Sequence, residues 1–506
     1  MPTGRTRRPL FRDRLCAVVA TPRAREALAQ IKQALKYTKT LELRLDWLRS
    51  DRERAQLIRL LKRRPFVGVD LLATCRRILG GGKLQGGAES ELYWLMQARE
   101  AGCQWCDLEI ETLRELPGQS ARAYPLPAKI LLSFHDFHRT PALPVRLDPA
   151  RRGEADACKI AGQARTIGDR LRALRLVRES RDMVAVPMGE VGLPARLLAL
   201  REGSALAYAP VAAATAPGQV SLHDFKRLYR ADRATRGTTI CGVIGNPITH
   251  SLSPLLHNAG YVAANCDAMF LPFRVENLRE FIKAIPEFGL RGISVTIPHK
   301  QTVMNYLDDC EPMAERIGAI NTVQVESNGK LRGSNTDYLG VLRALEGKLE
   351  LARTRALVYG AGGSARAAAF ALTKAGAEVL ICARREPAAR SLARACGAQV
   401  ISRRHLQSAS FGLIVNATPV GMHPNAGFSP LAARELNTRL VMDLIYRPVR
   451  TELLRIAAKK RIRAVSGVEM FLAQGFAQWE LFMSRRAPEA AMRRAVLDQL
   501  HSDESR

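Results

Sequence analysis

The chain has 506 residues, a hydrophobic content of 47% and a formal net charge of +29. This length exceeds what one hydrophobic core supports and predicts about three domains. The chain contains no apolar run long enough to span a bilayer. Its start, MPTGRTRRPLFRDR, precedes no apolar signal-peptide core, so we expect a cytoplasmic protein, with a short organelle-targeting remnant as the alternative left open.

The positive charge comes mostly from arginines spread along helical stretches such as DRLRALRLVRESR. Such spacing is typical of solvated helix faces, and the resulting field attracts acidic small molecules. A basic tail, an aromatic-interleaved stripe and zinc-finger spacing are all missing from the sequence, which disfavours nucleic-acid binding as a main function. Cys103 and Cys106 form a lone C-x-x-C, for which we expect two reduced thiols at the edge of a buried strand, with a redox or metal role as the alternative.

The first segment, from about residue 12 to 225, alternates short apolar runs with amphipathic helical patterns. The strand candidates are LCAVVA, TLELRLDWL, VGVDLLATC, CDLEIE, KILLSFHD, DACKIAG, VAVPMG and LAYAPV. Eight such units predict a (β/α)8 barrel, whose chemistry lies at the carboxyl ends of the strands. The polar residues expected at those ends are Glu42, Arg44, Arg76, Glu109, His135, Lys159, Arg196 and Gln219.

Two of these residues suit imine chemistry. Lys159 lies within a strand, where burial disfavours the charged amine, and a neutral amine is what imine formation with a ketone requires. His135, at the end of its strand, can move a proton near neutral pH. Taken singly, each residue also fits an ordinary role, as a strand-edge lysine reaching solvent or as a hydrogen-bonded loop histidine.

The order and spacing of LELRLDWL, DLEIE, SFHDFHRTP, DACKIAG and TAPGQV resemble type I 3-dehydroquinate dehydratase over the whole first segment. The resemblance implies that Lys159 forms a Schiff base with the substrate ketone and that His135 moves the proton from the adjacent carbon, without a metal. It also assigns substrate binding to Glu42, Arg44, Arg76, Arg196, Thr215 and Gln219.

Three positions depart from that family's pattern. The Glu-Gly-Gly after the arginine reads Gly-Gly-Gly, with Gly80 in the acidic place, and Ala195 and Thr215 replace serines. We expect the chemistry to be kept, and the affinity for substrate and the lid contacts to be altered.

A charged stretch at 227–237 lacks apolar periodicity and predicts a domain boundary. Beyond it, ICGVIG, AMFLPFRV, GISVTIP and NTVQVE predict a second α/β domain. Its first strand leads into GVIGNPITHSLSPLLHN, a hydroxyl-rich loop of the kind that meets ligands. The plainer alternative is that Ser253 only caps a helix with Pro254 in its first turn.

A third pattern begins at 353 and contains LVYGAGGSARAAAFAL, a strand, a Gly-rich turn and a helix. Gly360 permits the tight turn, Gly362 lets the backbone approach a pyrophosphate, and Ala365 stands where a third glycine is usual. The next strand ends in Arg384 and Arg385, which suit a 2′-phosphate and predict NADP; two solvated arginines are the alternative.

The motifs GNPITHSLSPLLHN, GISVTIPHK, GAINTV, GSNTDYLG, VNATPVGM, DLIYRPVRTELL and GVEMFLAQGFAQWELF resemble shikimate dehydrogenases, in order, from 240 to about 485. The resemblance implies a catalytic pair, Lys300 and Asp337. Reduction of a ketone leaves an alkoxide, which an ammonium oriented by a carboxylate can protonate. A structural salt bridge is the alternative for this pair.

The same resemblance assigns the binding residues of the second half. For the substrate they are Ser251, Ser253, Thr296, Asn321, Tyr446 and Gln474. For the cofactor they are Gly360, Ala361, Gly362, Gly363, Ser364, Ala365, Arg384, Arg385, Thr418 and Gly467. Ser294 and Ala383 replace asparagines of the family pattern at non-catalytic positions.

We therefore expect a bifunctional shikimate-pathway enzyme that uses NADP(H). A dehydratase barrel (10–228) and a linker (229–237) precede a substrate-binding lobe (238–340), a Rossmann lobe (341–464) and C-terminal helices that return to the substrate lobe (465–506). The expected partners are small molecules, with no nucleic acid and no membrane. A second half that prefers quinate is one alternative, and a basic nucleic-acid-binding or scaffolding protein with inactive enzyme-like domains is another.

Overall fold

The computed structural model describes residues 10–115, 120–140, 154–212, 219–248, 251–422 and 425–504. Its chain divides into two compact units, Met1–Thr238 and Thr239–Arg506. Within the described residues, no helix is long and apolar enough to cross a membrane. Thr215 lies outside the described residues.

The first unit is built on one parallel sheet, which overlaps the predicted strands throughout. The order of its strands is β7-β6-β5-β4-β3-β2-β1-β8, and β7 and β8 also lie in contact, so the sheet curls into a barrel. The predicted (β/α)8 barrel is confirmed. Its strands are β1 (Leu15–Val19), β2 (Thr40–Arg44), β3 (Asp70–Thr74), β4 (Trp105–Glu109), β5 (Lys129–Asp136), β6 (Ala157–Gln163), β7 (Met183–Met188) and β8 (Ala207–Pro210).

Amphipathic helices follow most of these strands, and their caps explain where they begin. Ser50 accepts a hydrogen bond from the backbone N–H of Glu53 at the start of the second helix, and Thr166 and Asp169 form a capping box at the start of the fifth. The helices are α1 (Ala24–Ala34), α2 (Asp51–Arg63), α3 (Ala88–Glu100), α4 (Ile110–Arg114), α5 (Ile167–Glu179), α6 (Leu193–Glu202) and α7 (Leu222–Arg227).

The amino end of the barrel is closed by apolar side chains. Phe11 stacks on Trp105 with ring centroids 4.1 Å apart, above a buried cluster that includes Leu72, Leu131 and Val184. The polar residues of the barrel interior therefore lie toward the carboxyl ends of the strands. The charged segment after α7 packs against this unit, because Tyr229, Ala231 and Ala234 within it are buried.

The second unit contains two sheets. In the first, parallel pairing of β9 with β10 and β11 gives way to antiparallel pairing of β13 with β11 and β14, in the order β10-β9-β11-β13-β14-β12. The strands are β9 (Thr239–Gly245), β10 (Ala268–Arg274), β11 (Leu290–Val295), β12 (Asp309–Cys310), β13 (Thr322–Val325) and β14 (Leu331–Ser334). The helices of this lobe are α8 (Ser253–Ala263), α9 (Leu278–Phe288), α10 (Pro312–Ile317) and α11 (Asp337–Leu345).

The other sheet is parallel and has the order β17-β16-β15-β18-β19-β20. Strand order reverses on either side of β15, and in such sheets ligands bind beyond the carboxyl end at the point of reversal. The strands are β15 (Arg355–Tyr359), β16 (Glu378–Cys382), β17 (Gln399–Val400), β18 (Phe411–Asn416), β19 (Thr438–Asp443) and β20 (Arg463–Val465). The helices are α12 (Gly363–Lys374), α13 (Glu386–Cys396) and α14 (Glu452–Lys459).

The last helices, α15 (Gly467–Met483) and α16 (Glu489–Glu504), return to the first lobe of this unit. Leu472, Trp479 and Met492 share one apolar core with Leu256 and Tyr261 of α8. The chain therefore leaves the substrate lobe, builds the Rossmann lobe and comes back, which places residues of α15 beside both lobes.

Candidate active sites

The barrel site is centred on Lys159, which projects from β6. Its side chain is 5% exposed, and its Nζ contacts Oδ2 of Asp107 on β4 and lies 4.0 Å from Oε1 of Glu42 on β2. The ring centroid of Tyr208 lies 5.0 Å from the same nitrogen. The lysine amine is therefore enclosed by two carboxylates and an aromatic face, away from bulk water.

Arg76 connects this lysine cluster to His135. Nη2 of Arg76 donates to Oδ2 of Asp107 over 2.9 Å, while Nη1 contacts both ring nitrogens of His135, with Nε2 at 2.8 Å. A ring nitrogen can accept from a guanidinium only through its lone pair, which favours the neutral imidazole. Burial, together with the nearby Arg76 and Lys159, also holds the pKa of His135 well below its usual range.

Asp107 is the anion of this cluster. Burial acts to raise its pKa, but Lys159 and Arg76 outweigh that effect and keep the pKa below the ordinary value. Oγ of Ser133 donates to Oδ1 of Asp107 over 2.5 Å, which completes its hydrogen bonds. The arrangement can hold an amine beside an acceptor for its proton and place a neutral imidazole within the same network.

The other residues predicted for the barrel site lie at or near the carboxyl ends of strands. Glu42 accepts from the hydroxyl of Thr74 over 2.8 Å, and Arg44 makes a two-pronged contact with Asp46 at 2.9 and 2.8 Å. Arg196 lies in α6 and donates from Nη1 to the carbonyl oxygen of Pro187. Gln219 is half-buried just before α7. Their substrate contacts stay predictions.

The second unit holds a cavity of about 2040 Å³ lined by both of its lobes. All the residues predicted to bind substrate in this half line it, as do the catalytic pair and most residues predicted for the cofactor. They are Ser251, Ser253, Thr296, Asn321, Tyr446 and Gln474; Lys300 and Asp337; and Gly360, Ala361, Gly362, Gly363, Ser364, Arg384, Arg385 and Thr418.

Lys300 and Asp337 are in contact through Nζ and Oδ2. The other carboxylate oxygen of Asp337 accepts from Nδ2 of Asn321 over 2.8 Å, and its backbone N–H donates to the side chain of Asn335. The carboxylate is thus fixed from two sides at the start of α11. Nζ of Lys300 also lies 3.4 Å from Oγ of Ser364, at the start of the nucleotide-loop helix α12.

A buried amide network supports this pair from behind. Nδ2 of Asn321 lies 3.3 Å from Oε1 of Gln474, and Gln478 donates to the carbonyl oxygen of Asn321 over 2.9 Å. Ser294, which departs from the family pattern, donates to Oε1 of Gln478 over 2.8 Å. Serine is shorter than the asparagine of the family pattern, but its hydroxyl still reaches Gln478 and keeps this residue in the network.

Hydroxyl groups cluster at the amino end of α8. The backbone N–H of Ser253 donates to Oγ of Ser251 over 3.3 Å, and the ring of Tyr446 stacks on Phe471 with ring centroids 4.4 Å apart. Hydroxyls beside the amino end of a helix that carries Pro254 in its first turn favour binding of an anionic group.

The nucleotide loop has the shape that a dinucleotide requires. Gly360 adopts φ +130°, and a Cβ there would lie 2.9 Å from the carbonyl oxygen of Ala417, so a side chain is excluded. Apart from Gly362 itself and its chain neighbours, no described residue has an atom within 4 Å of a Cβ built on Gly362, which leaves room for a ligand at the amino end of α12. Arg384 and Arg385 are exposed at the carboxyl end of β16.

Two residues predicted for cofactor binding, Ala365 and Gly467, are not among the residues that line the cavity. Ala365 is fully buried in the core between α12 and the sheet, where a small side chain permits close packing. Gly467 begins α15, where a Cβ would lie 2.5 Å from the carbonyl oxygen of Ile445, so the backbones pack closely there, and its cofactor contact stays a prediction. Conversely, Arg404 and His405 line the cofactor end of the cavity and carry no sequence motif.

Together, the fold and these sites define a polypeptide with two enzyme units, a lysine-based lyase barrel and an oxidoreductase of the dinucleotide-binding class. The sequence model of type I 3-dehydroquinase matches residues 15–236. Those of the shikimate dehydrogenase substrate-binding domain and the shikimate 5′-dehydrogenase C-terminal domain match residues 243–323 and 467–497.

One relative matches both halves of the chain. The chloroplastic bifunctional 3-dehydroquinate dehydratase/shikimate dehydrogenase of Arabidopsis thaliana is 32% identical over 474 residues, which cover 89% of this chain and 78% of the plant protein. The chain therefore belongs to the family of bifunctional 3-dehydroquinate dehydratase/shikimate dehydrogenases.

Single-activity relatives match the second half. The NADP(+) shikimate dehydrogenase of Methanothermobacter thermautotrophicus is 38% identical over 284 residues, covering 53% of this chain and 99% of that protein. A crystal structure of shikimate 5-dehydrogenase from Thermus thermophilus, in complex with NADP(H) and shikimate, is 35% identical, covers 51% of this chain and 98% of its own, and has a TM-score of 0.48.

Proposed function

We propose that the barrel dehydrates 3-dehydroquinate to 3-dehydroshikimate and that the second unit reduces this ketone to shikimate with NADPH. The observation that carries the proposal is the pair of enclosed lysine–aspartate contacts on one chain, Lys159 with Asp107 and Lys300 with Asp337. One sits inside a barrel beside a neutral histidine, and the other sits against a nucleotide loop.

In the barrel, the amine of Lys159 attacks the substrate ketone and water leaves as the imine forms, while Asp107 is placed to take the amine proton. Neutral His135 then removes a proton from the adjacent carbon, because the iminium accepts the electron pair. The protonated His135 then gives this proton to the neighbouring hydroxyl, which leaves as water while the electron pair of the enamine restores the iminium. Addition of water to the iminium releases the product and the free amine of Lys159. Lys159 contacts Asp107, and Arg76 joins Asp107 to His135, so the proposed groups belong to one hydrogen-bond network.

In the second unit, NADPH supplies the hydride when it is bound. Ser251 and Ser253 hold the substrate carboxylate, and Asn321, Thr296 and Gln474 hold the ring hydroxyls. The ammonium of Lys300 donates a proton to the oxygen that receives negative charge, and Asp337 keeps that ammonium oriented. Arg384 and Arg385 bind the 2′-phosphate, which sets the preference for NADPH.

The partners are small acidic molecules, which the large positive charge attracts, and we place the protein in the cytoplasm without nucleic-acid or membrane partners. Fractionation of cells that express the full chain checks the location. RNA retention that falls steeply with salt would contradict the assignment of partners.

The coupled reaction tests both activities at once. Purified protein receives NADPH and 3-dehydroquinate with no other enzyme present, and absorbance of the reduced cofactor is followed. We expect steady oxidation, because each site must supply or consume the shared ketone. If NADPH is oxidised with 3-dehydroshikimate but not with 3-dehydroquinate, the barrel assignment is overturned. If NADPH is oxidised with neither substrate, the dehydrogenase assignment is overturned. Faster turnover of quinate than of shikimate would overturn the substrate of the second unit.

A further inference from the structure

A short 3-10 turn, Arg403–His405, follows β17 beyond the carboxyl end of the parallel sheet of the Rossmann lobe. Strands β16 and β17 are parallel neighbours with Ile381 opposite Val400, and such strands run about 4.8 Å apart. Arg384 comes three residues after Ile381, and Arg404 comes four residues after Val400. The two arginines therefore follow the ends of adjacent strands, and both line the cavity of the second unit.

The turn is fixed by the residues on either side of Arg404. Nε and Nη2 of Arg403 donate to the two carboxylate oxygens of Glu435 over 2.9 and 3.0 Å, and Nη1 donates to the hydroxyl of Tyr359 over 3.0 Å. Leu406, directly after the turn, is fully buried in the apolar core that also contains Tyr359. The backbone of Arg404 is therefore held in place, and its position does not depend on one rotamer of its own side chain.

Arg404 has no anionic partner among the described residues, and the nearby acids pair with other arginines. Glu435 pairs with Arg403 at 2.9 Å. Glu386, which lines the cavity, pairs with Arg390 one helical turn further along α13, at 2.6 Å. The side chain of Arg404 is exposed and lines the cavity, so its charge remains available for a ligand.

Arg384 and Arg385 resemble Arg404 in this respect, since neither makes an ion pair within the part of the chain that the structure describes. Three guanidinium groups therefore meet at one end of the cavity, where they repel one another until an anion binds. The 2′-phosphate of NADPH is such an anion, because a phosphate monoester carries nearly two negative charges and three acceptor oxygens at neutral pH. Arginines from two strand ends can approach such a group from different directions.

We propose that Arg404 is a specificity-determining residue of the dehydrogenase, and that its guanidinium binds the 2′-phosphate of NADPH from the end of β17 while Arg384 and Arg385 bind it from the end of β16. This inference rests on the proposed use of NADPH. A guanidinium donates two parallel hydrogen bonds to phosphate, so each arginine adds direction as well as charge. The preference for NADPH over NADH is therefore shared between two strand ends, one of which carries no sequence motif.

Nucleotide fragments test the proposal without turnover. The probes are 2′,5′-ADP, which carries the phosphate in question, and 5′-AMP, which lacks it, and both are titrated into the full chain by calorimetry. We expect the parent chain to bind 2′,5′-ADP about a hundredfold more tightly than 5′-AMP. In Arg404→Gln the Kd for 2′,5′-ADP is expected to rise about tenfold and that for 5′-AMP to stay within about twofold, because only the 2′-phosphate loses a partner.

Steady-state rates show whether Arg404 acts on the cofactor or on the fold. Arg404→Gln is expected to raise the KM for NADPH about fivefold, with kcat and the KM for NADH unchanged. Arg404→Lys keeps the charge but loses the planar fork, so it is expected to recover part of that loss. Arg394→Gln is the matched control, because Arg394 is exposed on α13 of the same lobe and is not among the residues that line the cavity. Its KM values are expected to stay within about twofold of the parent values.

If Arg404→Gln keeps the full preference for 2′,5′-ADP, or if it weakens both probes equally, the inference is overturned. A fall in kcat with an unchanged cofactor preference also overturns it, because that result indicates a structural role. A failure of the proposed use of NADPH shows differently, since the parent chain itself then binds 2′,5′-ADP and 5′-AMP with the same affinity.

Discussion

The two active sites use the same pair of residue types for different chemistry, and the surroundings of each lysine account for the difference. Lys159 lies within a strand, 5% exposed, among Asp107, Glu42 and the aromatic ring of Tyr208. Lys300 follows a strand end, is 13% exposed, and faces a cavity large enough for a dinucleotide.

What lies next to each lysine–aspartate pair decides its role. In the barrel, Arg76 connects the pair to a histidine held neutral, so an amine and a base are adjacent. In the second unit, Gly363 lets the side chain of Lys300 approach α12. A Cβ added to Gly363 would lie 3.1 Å from both Cβ and Cδ of Lys300. The first surroundings suit attack on a carbonyl, and the second suit protonation beside a hydride donor.

The largest expected effect is on the barrel lysine. Lys159→Met removes the imine-forming amine while keeping an apolar stem in the strand, so dehydratase kcat is expected to fall roughly 10⁴-fold. Borohydride treatment with 3-dehydroquinate, read by mass spectrometry, should trap a substrate adduct on the parent chain and none on the variant. Lys129→Met, at the exposed opposite end of β5, is the matched control. An adduct found in Lys159→Met would show that Lys159 is not the residue that forms the imine, and the proposed difference between Lys159 and Lys300 would fail.

The lysine of the second unit is expected to matter nearly as much, but without any adduct. Lys300→Met removes the proton donor, so dehydrogenase kcat is expected to fall roughly 10³-fold while dehydratase activity is unchanged. Stopped-flow measurement of NADPH oxidation checks this. Lys330→Met, an exposed lysine in the turn between β13 and β14, should behave as the parent chain. A loss confined to KM would instead indicate a binding lysine.

The cofactor-binding part of the cavity distinguishes the second unit from the barrel, because we propose a cofactor only for the second unit. Arg384→Gln is expected to raise the KM for NADPH about tenfold and to leave the KM for NADH unchanged, since a charge-assisted hydrogen bond to the 2′-phosphate is lost. Initial rates with both cofactors give the ratio. Arg439→Gln, an exposed arginine in β19, is the control. Equal effects on NADPH and NADH would refute a 2′-phosphate contact.

The smallest expected effect concerns stability and involves a histidine unlike His135. His257 stacks on Phe270 at 4.1 Å, and burial lowers the pKa of His257 to about 3. Below about pH 6.5 the unfolded chain binds a proton that the folded chain does not, so stability falls as pH falls. The free energy of unfolding of the second unit should lose about 2 kcal/mol between pH 7 and pH 5 through this residue.

His257→Phe removes that contribution, so its unfolding should depend less on pH than that of the parent chain. Urea titrations without NADPH, followed through the hydrogen exchange of peptides from the second unit, measure the difference. His405→Gln changes an exposed histidine and should retain the slope of the parent chain. The same slope in His257→Phe as in the parent chain would contradict the assigned cause.

Most of the fold could be predicted because the strands have strong patterns. LCAVVA, KILLSFHD and EVLICARR are apolar runs bounded by polar or turn residues, and each overlaps a strand of the structure. The Gly-rich turn also fits its predicted form, since Gly360 adopts a backbone conformation that favours glycine. Local sequence determines such features, so they are visible without tertiary contacts.

The residues that were missed depend on contacts between distant segments. Asp107 was not singled out, although Asp107 and Glu109, two apart in an otherwise apolar strand, must share a face, and that spacing was the available signal. Arg404 lines the cavity only because its 3-10 turn folds beside the end of β16, and no motif marks it. Gly467 was assigned to the cofactor by resemblance, and its close approach to the backbone of Ile445 could not have been predicted from local sequence.

The close approach of Gly80 to Glu109 has a consequence for how this part of the sequence can change over generations. A larger residue at position 80 meets the end of the Glu109 side chain, which can turn aside to make room. A replacement of Glu109 leaves Arg76 with one carboxylate fewer. Change at position 80 is therefore absorbed by a side-chain rotation, whereas change at the end of β4 removes a charge from the neighbourhood of a buried guanidinium.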